Sequence, residues 1–386
     1  MILKIMKQVG LCLTLLTCIH CSDMPKNSET TAEMDQSHKD MTSSNSKCST
    51  LELFDSKFPF RSSILEEFAR TAMNGDLDAL LLIKEDVTKL DLSDASLNAL
   101  PKTLREFPNL KYLDISGNRF TDKEKLFEEL SLLPSLRILR LNSSNLKTLP
   151  SNVRLLQDLE VLDVSRANLQ SIENIGDLEK LKLLSVRGNS QLKDLPASIA
   201  KLKCLQSLDV SASGMERLRD ELAACTQLVN ITANASRIAS IPMDIGDLKQ
   251  LRHLNLAANR IELVPTSIGG LQELQDLHLG SNELKGLPEE FKRLENLEFI
   301  SLDYNRFKEF PSQVLTLHHV HNLWVHNNSF KEIPTEVAQM QGLTHLLIDH
   351  EIITDENIEE IKRLNPELRV IRQDSRRYVK GRKRKN

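Results

Sequence analysis

The sequence predicts an α/β solenoid, in which a parallel β-sheet lines a concave side and helical or 3-10 turns form the convex side. Three observations lead to this fold class. One 23-residue pattern of apolar positions recurs twelve times, eight of the 13 prolines occupy the same position of that pattern, and aromatic residues make up only 4% of the 386 residues. A single conventional core normally contains more aromatic bulk, whereas the units of a solenoid pack mainly on their neighbours.

The repeated pattern is L-x-x-L-x-L-x-x-N-x-L-x-x-L-P-x-x-I-x-x-L-x-x, and its last six spacings are all 23 residues. A repeat period between about 20 and 50 residues is typical of solenoids and related arrays. Twelve copies in register exclude a chance match. The first apolar residues of the repeats are Val87, Leu110, Leu136, Leu159, Leu181, Leu205, Leu228, Leu251, Leu274, Leu297, Val320 and Leu343.

Each repeat predicts one short strand followed by one turn. Around Leu254 and Leu256, apolar residues alternate with variable ones, as in a strand with one buried face. Pro265 then starts a segment in which Ile268 and Leu271 are three residues apart, as on one side of a helical turn. Stacked strands and bulkier turns together predict a curved sheet. The prolines at this position are Pro101, Pro150, Pro196, Pro242, Pro265, Pro288, Pro311 and Pro334.

These repeats resemble the leucine-rich-repeat family, specifically the 23-residue "L-P" subclass found in many bacterial proteins, in Ras-binding scaffolds and in plant intracellular proteins. The resemblance covers residues 87–371 and implies a horseshoe with a parallel concave sheet. It also implies that an inward-facing asparagine in each repeat bridges backbone groups of adjacent turns. The asparagines at this position are Asn118, Asn189, Asn259, Asn282, Asn305 and Asn328.

Besides the first and last repeats, four repeats lack this asparagine. Ser144, Ser213 and Ser236 can replace it in part, but Ala167 has no hydrogen-bonding side chain. A buried backbone group without a partner costs about 1–3 kcal/mol. We therefore expect residues 140–240, which include the repeats that begin at Leu159 and Leu205, to be the looser part of the solenoid.

The start of the chain predicts export. Lys4 and Lys7 precede the apolar run 9–19, which has the length of the hydrophobic region of a signal peptide and is too short to span a bilayer. The run contains Cys18, and Cys21 follows shortly after it. This arrangement resembles a bacterial lipoprotein signal, in which the cysteine becomes the lipidated first residue. We expect lipidation at Cys18 in preference to Cys21.

One residue departs from the lipoprotein pattern, because Thr17 stands where that family prefers Gly, Ala or Ser. Residues 1–21 are interpreted as the signal peptide. Residues 22–50 are rich in Ser, Thr, Asn, Lys and Glu without an aromatic residue, which predicts a disordered tether. The alternative is an uncleaved start on a cytoplasmic protein.

The ends of a solenoid need shielding from water. Residues 51–86 are predicted to form a helical N-terminal cap. The solenoid of 12 repeats and its C-terminal cap are predicted over residues 87–371, with a helix over 355–364 and a last strand near 368–371. The one 26-residue repeat predicts a longer helix on the convex side over residues 123–133.

Function is expected at the outward strand positions, because packing already explains the other residues of each repeat. In the first seven repeats the central stripe of these positions is small or charged, whereas in the last five repeats the outward positions include aromatic residues and four of the ten histidines. We predict a ligand-binding patch on the C-terminal half of the concave face. Its residues are His253, His278, Phe299, Asp303, Tyr304, Trp324, His326 and His345.

Phe299, Tyr304 and Trp324 carry this prediction, because nothing in the predicted solenoid packs over them. Trp, Tyr and Phe are enriched at the energetic centres of protein interfaces. Trp324, the single tryptophan of the chain, is expected to be the centre of the patch. The alternative is that neighbouring aromatic side chains cover one another.

The histidines permit two further hypotheses. His278 with Asp276, or His326 with Asp303, could approach one another on adjacent strands about 4.8 Å apart. No two histidines have the i, i+4 spacing of a helical metal-binding motif, however, so no metal or cofactor is predicted. A pH-sensitive interface is favoured instead, because histidines titrate near pH 6.5.

No catalytic motif is present: the sequence has no G-x-S-x-G, phosphate-binding glycine loop, H-E-x-x-H or paired cysteines. A net charge of −4 does not favour nucleic acid as a partner. The tail, residues 372–386, has eight Lys or Arg and one Asp. We expect it to be solvated and disordered, with anionic lipid headgroups or nucleic acid as alternative partners.

Together these features predict a non-enzymatic bacterial protein, lipid-anchored in the periplasm or at the cell surface, that recognises a protein ligand on its concave face. The alternative is a cytoplasmic scaffold that regulates a signalling enzyme, as the resemblance to Ras-binding repeat proteins implies. A third and weaker hypothesis is a nucleic-acid-associated protein acting through its tail. The leader distinguishes the first two hypotheses.

Overall fold

The computed structural model describes residues 77–350 and 352–373. Thirteen parallel strands form one open, curved sheet, and their order in the sheet is their order in the chain. The predicted solenoid is therefore confirmed. The strands are β1 (Lys89–Asp91), β2 (Tyr112–Asp114), β3 (Ile138–Arg140), β4 (Val161–Asp163), β5 (Leu183–Ser185), β6 (Ser207–Asp209), β7 (Asn230–Thr232), β8 (His253–Asn255), β9 (Asp276–His278), β10 (Phe299–Ser301), β11 (Asn322–Trp324), β12 (His345–Asp349) and β13 (Arg369–Gln373).

A short helical turn follows most strands on the convex side. Because most of these turns directly follow a proline with an extended backbone, the chain enters the turn with φ already restricted. The α-helices are α1 (Lys123–Leu130) and α2 (Asp355–Leu364). The 3-10 turns are Leu77–Ile83, Lys102–Glu106, Ser151–Leu155, Glu173–Asp177, Ala197–Lys201, Asp220–Ala224, Ile245–Asp247, Thr266–Gly270, Glu289–Arg293, Ser312–Thr316 and Thr335–Gln339.

The core runs along the inside of the solenoid between the sheet and the turns. Each strand contributes its central residue, such as Leu254, and the residue just after the strand, such as Leu256, and both of these side chains are fully buried. Ile268 and Leu271 of the following turn meet them from the convex side. The alternation seen in the sequence therefore separates the core from the concave surface.

Both predicted α-helices are present. α1 corresponds to the predicted convex helix of the 26-residue repeat, and α2 has the predicted bounds. Thr354 caps α2 by accepting a hydrogen bond from the backbone N–H of Asn357, and Ile361 is fully buried under the last repeat. The predicted last strand is β13, which pairs with β12.

Part of the predicted N-terminal cap lies within the described residues. Its 3-10 turn at Leu77–Ile83 buries Leu77 and Leu80 against the first repeat. The predicted signal peptide and tether, the remainder of the cap up to residue 76, and the tail from residue 374 onward lie outside the described residues.

The inward asparagines join neighbouring repeats through the backbone. The Nδ2 group of Asn282 donates to the carbonyl oxygens of Leu256 and Leu279, each at 3.0 Å, and its Oδ1 accepts from the N–H of Ile261 at 3.0 Å. One side chain thus links its own repeat to two points of the previous one. The same three bonds occur at Asn118, Asn189, Asn259, Asn305 and Asn328.

Where the sequence lacks the asparagine, the ladder is weakened to different degrees. Ser236 still reaches the previous repeat, since its Oγ accepts from the N–H of Ser213 at 3.2 Å and donates to the carbonyl of Val210 at 3.3 Å. Ser144 donates only within its own repeat, to the carbonyl of Leu141 at 2.6 Å. Ala167 is fully buried, and among the described residues no hydrogen bond meets the backbone N–H of Leu146, which faces it. The backbone is nevertheless suited to an asparagine at residue 167, because Arg166 has φ of 53°, as the residues before the asparagines do.

We predict that Ala167→Asn stabilises the protein by about 1 kcal/mol, because the new amide satisfies the N–H of Leu146 and two carbonyls and thereby offsets the crowding it introduces. Hydrogen exchange should be faster across residues 140–240 than across 250–330 in the wild type, and the substitution should slow it around residue 146. The control Ala167→Asp has the same size but no donor and buries a charge, so it should destabilise. Uniformly slow exchange in the wild type would contradict the prediction.

Candidate ligand-binding face

The concave surface is formed by the first and third residues of each strand, whose side chains point away from the core. Parallel pairing in register aligns these residues into rows across the sheet. In one row Ser301 lies between His278 and Trp324, and in the next Phe299 lies between Asp276 and Asn322. The strands β8 to β12 therefore bring all the predicted binding residues to one face.

Five of these residues form what we call the aromatic cluster, in two groups of touching rings: one of His278, Phe299 and Trp324, the other of Tyr304 and His326. The ring of Phe299 lies 4.6 Å from that of His278 and 4.9 Å from that of Trp324, the latter in an edge-to-face arrangement with an interplanar angle of 76°. Tyr304 and His326 make a second edge-to-face pair at 5.3 Å. These separations are those at which aromatic pairs are stabilising.

The contacts in the cluster bear on both interpretations of the exposed aromatics. The rings do cover one another, so the expectation that nothing packs on them is wrong. The covering is partial, because His278, Phe299, Tyr304 and Trp324 all remain half-buried on the concave face. The result is a pre-packed apolar surface that still presents ring area to solvent.

Two histidines have a different role from the one predicted. His253 and His326 are buried, with 7% and 6% of their surface exposed, so they offer little area to a ligand. Nδ1 of His253 lies 2.7 Å from Oδ2 of Asp276, and Nε2 of His326 lies 3.9 Å from Oδ2 of Asp303. They pair with carboxylates from the neighbouring strand.

The protonation of the cluster follows from its burial. Desolvation lowers the pKa of His278, while the carboxylates of Asp276 and Asp303 act in the opposite direction. Desolvation likewise lowers the pKa of His326 against the opposing charges of Asp303 and Asp349. Both imidazoles are therefore neutral at pH 7, and the face carries the negative charge of these aspartates.

The patch extends further than predicted. His345 lies at its far side, half-buried, with Nδ1 2.9 Å from the hydroxyl of Thr344. Leu347 pairs in register with Trp324 on one side and with Ile371 of β13 on the other, and these two aliphatic residues were not predicted. Counting the same outward position into the last two strands would have found them.

The N-terminal half of the face is built differently. Asp114, Asp163 and Asp209 each accept a hydrogen bond from the backbone N–H of a residue two positions later, and Arg140 lies 3.4 Å from Asp114 and 3.6 Å from Asp163. Burial raises the pKa of Asp114 and Asp209. These polar groups largely satisfy one another, and the row contains no comparable aromatic cluster among the described residues.

Two further features are absent from residues 77–350 and 352–373. No group of three or more His, Cys, Asp or Glu side chains there is arranged to hold a metal ion. None of the helices in those ranges combines the length and apolar character that crossing a membrane requires.

Residues 249–307 match the family model described as Leucine rich repeat, and residues 109–133 match a second model of the same description. The chain therefore contains leucine-rich repeats. The first of these matches covers β9 and β10, which contribute His278 and Phe299 to the aromatic cluster.

Solved structures with the same fold come from several kinds of organism. An internalin (inlF) from Listeria monocytogenes is 22% identical, with a TM-score of 0.64, and the match covers 81% of this chain and 86% of that one. The TLR13–ssRNA13 complex has a TM-score of 0.63 at 24% identity, covering 71% of this chain and 42% of that one. The Toll–Spatzle complex from Drosophila has 0.59 at 24%, covering 68% and 37%. The chain spans less than half the length of the latter two, and the likeness shows the fold.

We predict that His326 makes folding stability depend on pH. Because its folded pKa lies below the ordinary value of about 6.5, the unfolded state binds the proton more readily, so stability is lost as pH falls from about 7 to about 5. In His326→Asn this contribution is absent. Urea denaturation at several pH values should show the stability advantage of the wild type over the variant shrinking toward low pH.

The control for this measurement is Asn322→Ala, a non-titrating change on the same strand, whose difference from the wild type should be constant with pH. A constant difference for His326→Asn as well would show that burial of this histidine does not couple folding to protonation.

Proposed function

We propose that this leucine-rich-repeat protein is a non-enzymatic binding module that recognises a protein ligand with the C-terminal half of its concave face. The observation that carries the proposal is the stacked array of His278, Phe299 and Trp324 on three consecutive strands. Half-buried aromatic rings on a rigid surface are the usual centres of protein interfaces. A sheet held by backbone bonds on both sides supplies that rigidity.

Tyr304 supports the proposal through its backbone. It has φ of 52°, a left-handed conformation that is unfavourable for a bulky residue and costs about 1–3 kcal/mol. The equivalent positions of the two preceding repeats hold the smaller residues Ala258 and Ser281 in the same conformation. The contact of its ring with His326 offsets part of this cost, and the part of the ring that stays exposed on the concave face is available to a ligand.

Charge favours a protein over a nucleic acid as the ligand. The cluster is flanked by Asp276, Asp303 and Asp349 beside histidines that include the neutral His278 and His326, and such a surface repels phosphates. The solved structures of similar fold include both kinds of complex, Toll with Spatzle and TLR13 with ssRNA13. The fold can thus bind either class of ligand, and the side chains of the concave face determine which class a given protein binds.

We infer further that the protein is exported and anchored to a membrane by lipid at Cys18, in the periplasm or on the surface of a bacterium. The support is the leader with Lys4, Lys7 and the apolar run 9–19 that contains the cysteine. A lipid anchor followed by a polar segment would hold the solenoid away from the membrane. The cytoplasmic scaffold is the alternative function.

The ligand-binding proposal is tested with the full wild-type chain and with Trp324→Ala. Both are used to capture, by cross-linking, proteins from the exterior of the native cells and from their surroundings, and the affinity of each captured protein for the two chains is compared. Removing a central aromatic side chain should lower the affinity for a ligand of this face about 30-fold or more. Leu263→Ala is the matched control, because Leu263 is also a large exposed apolar residue, with 78% of its surface accessible. If Trp324→Ala leaves the affinity of every captured protein unchanged, the concave patch is not the binding site.

The export proposal is tested separately by membrane fractionation of the wild type, Cys18→Ala and Cys21→Ala, combined with protease treatment of intact cells. We expect the wild type and Cys21→Ala in the membrane fraction and Cys18→Ala outside it, because only the thiol of Cys18 takes the lipid. If all three remain in the cytosol and are protected from protease, the cytoplasmic scaffold becomes the leading hypothesis.

A further inference from the structure

The apolar surface of the concave face continues to the end of the sheet. Trp324, Leu347 and Ile371 stand in one row on β11, β12 and β13, paired in register. Ile371 is 42% exposed on the last strand. An apolar path therefore leads from the aromatic cluster to the edge of the sheet at β13.

Three carboxylates flank this path. Asp276, Asp303 and Asp349 lie on or just after β9, β10 and β12 on the concave side, and Asp349 Oδ2 accepts the backbone N–H of Asn327 at 2.7 Å. The contact of His326 with Asp303 adds no positive charge at pH 7, because burial lowers the pKa of that imidazole. Asp349 is buried, so the charge nearer the surface comes from Asp276 and Asp303, whose side chains are 15% and 14% exposed. Arg369 stands farther along, at the sheet edge beside His345. The path is thus apolar at its centre and negative at its sides.

The segment best placed to occupy this surface is the C-terminal tail of the same chain. It leaves directly from Gln373, the last residue of β13, which pairs with Asp349. Asp374, Ser375, Arg376 and Arg377 precede Tyr378 and Val379. Five of the next six residues are basic: Lys380, Arg382, Lys383, Arg384 and Lys385. From Tyr378 onward, the order of apolar then basic residues matches a path that runs from Leu347 towards Asp303 and Asp276.

The tail is long enough for this course. Residues 374–386 reach about 40 Å when extended, whereas the strands from β9 to β13 cover about 20 Å at a spacing of about 4.8 Å. A reversal of direction after Gln373 can therefore be accommodated. The segment that precedes residue 77 starts from the opposite end of the sheet, about 58 Å away at the same spacing.

We propose that residues 374–386 fold back across the concave face and cover Trp324, held by apolar contacts near Leu347 and by ion pairs with Asp303 and Asp276. The tail then acts as an internal competitor of any ligand at the aromatic cluster. That regulatory consequence rests on the proposed binding function. The docking itself does not, and it can be measured without a ligand.

The single tryptophan makes the test direct, because all tryptophan fluorescence of the chain comes from Trp324. Acrylamide quenching is compared between the full wild-type chain and a full chain with Lys380, Arg382, Lys383, Arg384 and Lys385 each changed to Gln. At about 10 mM salt, where the screening length is about 30 Å, the quenching constant of the variant should be at least about twice that of the wild type. At about 1 M salt, where it is about 3 Å, the two should agree.

Two controls separate docking from a general effect of charge. A chain with five exposed cations elsewhere changed to Gln loses the same charge and should be quenched like the wild type; these are Lys102, Lys201, Lys285, Arg293 and Lys331. Asp276→Asn with Asp303→Asn should raise quenching in the wild-type background but add nothing to the tail variant, because both changes break the same contacts.

Equal quenching of the wild type and the tail variant at low salt would overturn the proposal. If quenching is equal and the wild type, but not the tail variant, floats with phosphatidylglycerol vesicles, the tail binds the membrane and not the concave face. Protection of Trp324 that disappears on dilution would assign the tail to a second copy and likewise overturn internal docking. If Trp324→Ala no longer captures a ligand, and the wild type and the tail variant are quenched equally, the binding proposal stands and only the docking of the tail is refuted.

Discussion

The hydrogen bonds of the inward asparagines are the interactions on which the rest of this structure depends. Most strands are only three residues long, so strand pairing alone satisfies few of the backbone groups in each repeat. Asn282 and its equivalents reach the groups beyond the strands, in segments that are buried on all sides. A buried backbone group without a partner costs about 1–3 kcal/mol, so each missing amide weakens the joint between two repeats. The apolar residues favour stacking, and the asparagines fix its register.

The irregular repeats show how strong this constraint is. Where Ser144 replaces the asparagine, the ammonium group of Lys123, at the start of α1, donates to the carbonyls of Phe120 and Ser144 at 2.6 and 3.1 Å. Burial lowers the pKa of this lysine, a cost that is acceptable because the two carbonyls lie beside the charge. The longer repeat is thus more than a length variant, because the helix it carries places a donor at the weakened joint. Ala167 has no such substitute.

The sequence predicted the scaffold more completely than the site, for physical reasons. Alternation around Leu254 and Leu256 states which side chains face the core, and the spacing of Ile268 and Leu271 predicts a turn but does not separate an α-helix from a 3-10 turn. The same alternation places Trp324 and Phe299 on the concave face, but it carries no information on side-chain rotamers or contacts between strands. The stacking of these rings, and the burial of His253 and His326 beside carboxylates of adjacent strands, follow from tertiary distances that a linear pattern does not contain. Leu347 and Ile371 were missed because aliphatic residues were taken as core residues.

Stacking of the aromatic side chains is compatible with binding and favours it. A free tryptophan or phenylalanine loses rotamer freedom when a ligand immobilises it, at about 0.5–1.5 kcal/mol for each side chain. Phe299, held between His278 and Trp324, has already lost much of that freedom in the folded state. Because the asparagines and the leucines stabilise the solenoid without these rings, the concave positions can carry side chains chosen for contact rather than for folding. Tyr304, in a left-handed backbone conformation that smaller residues adopt at the equivalent positions of the two preceding repeats, is one position at which the needs of the scaffold and those of the face differ.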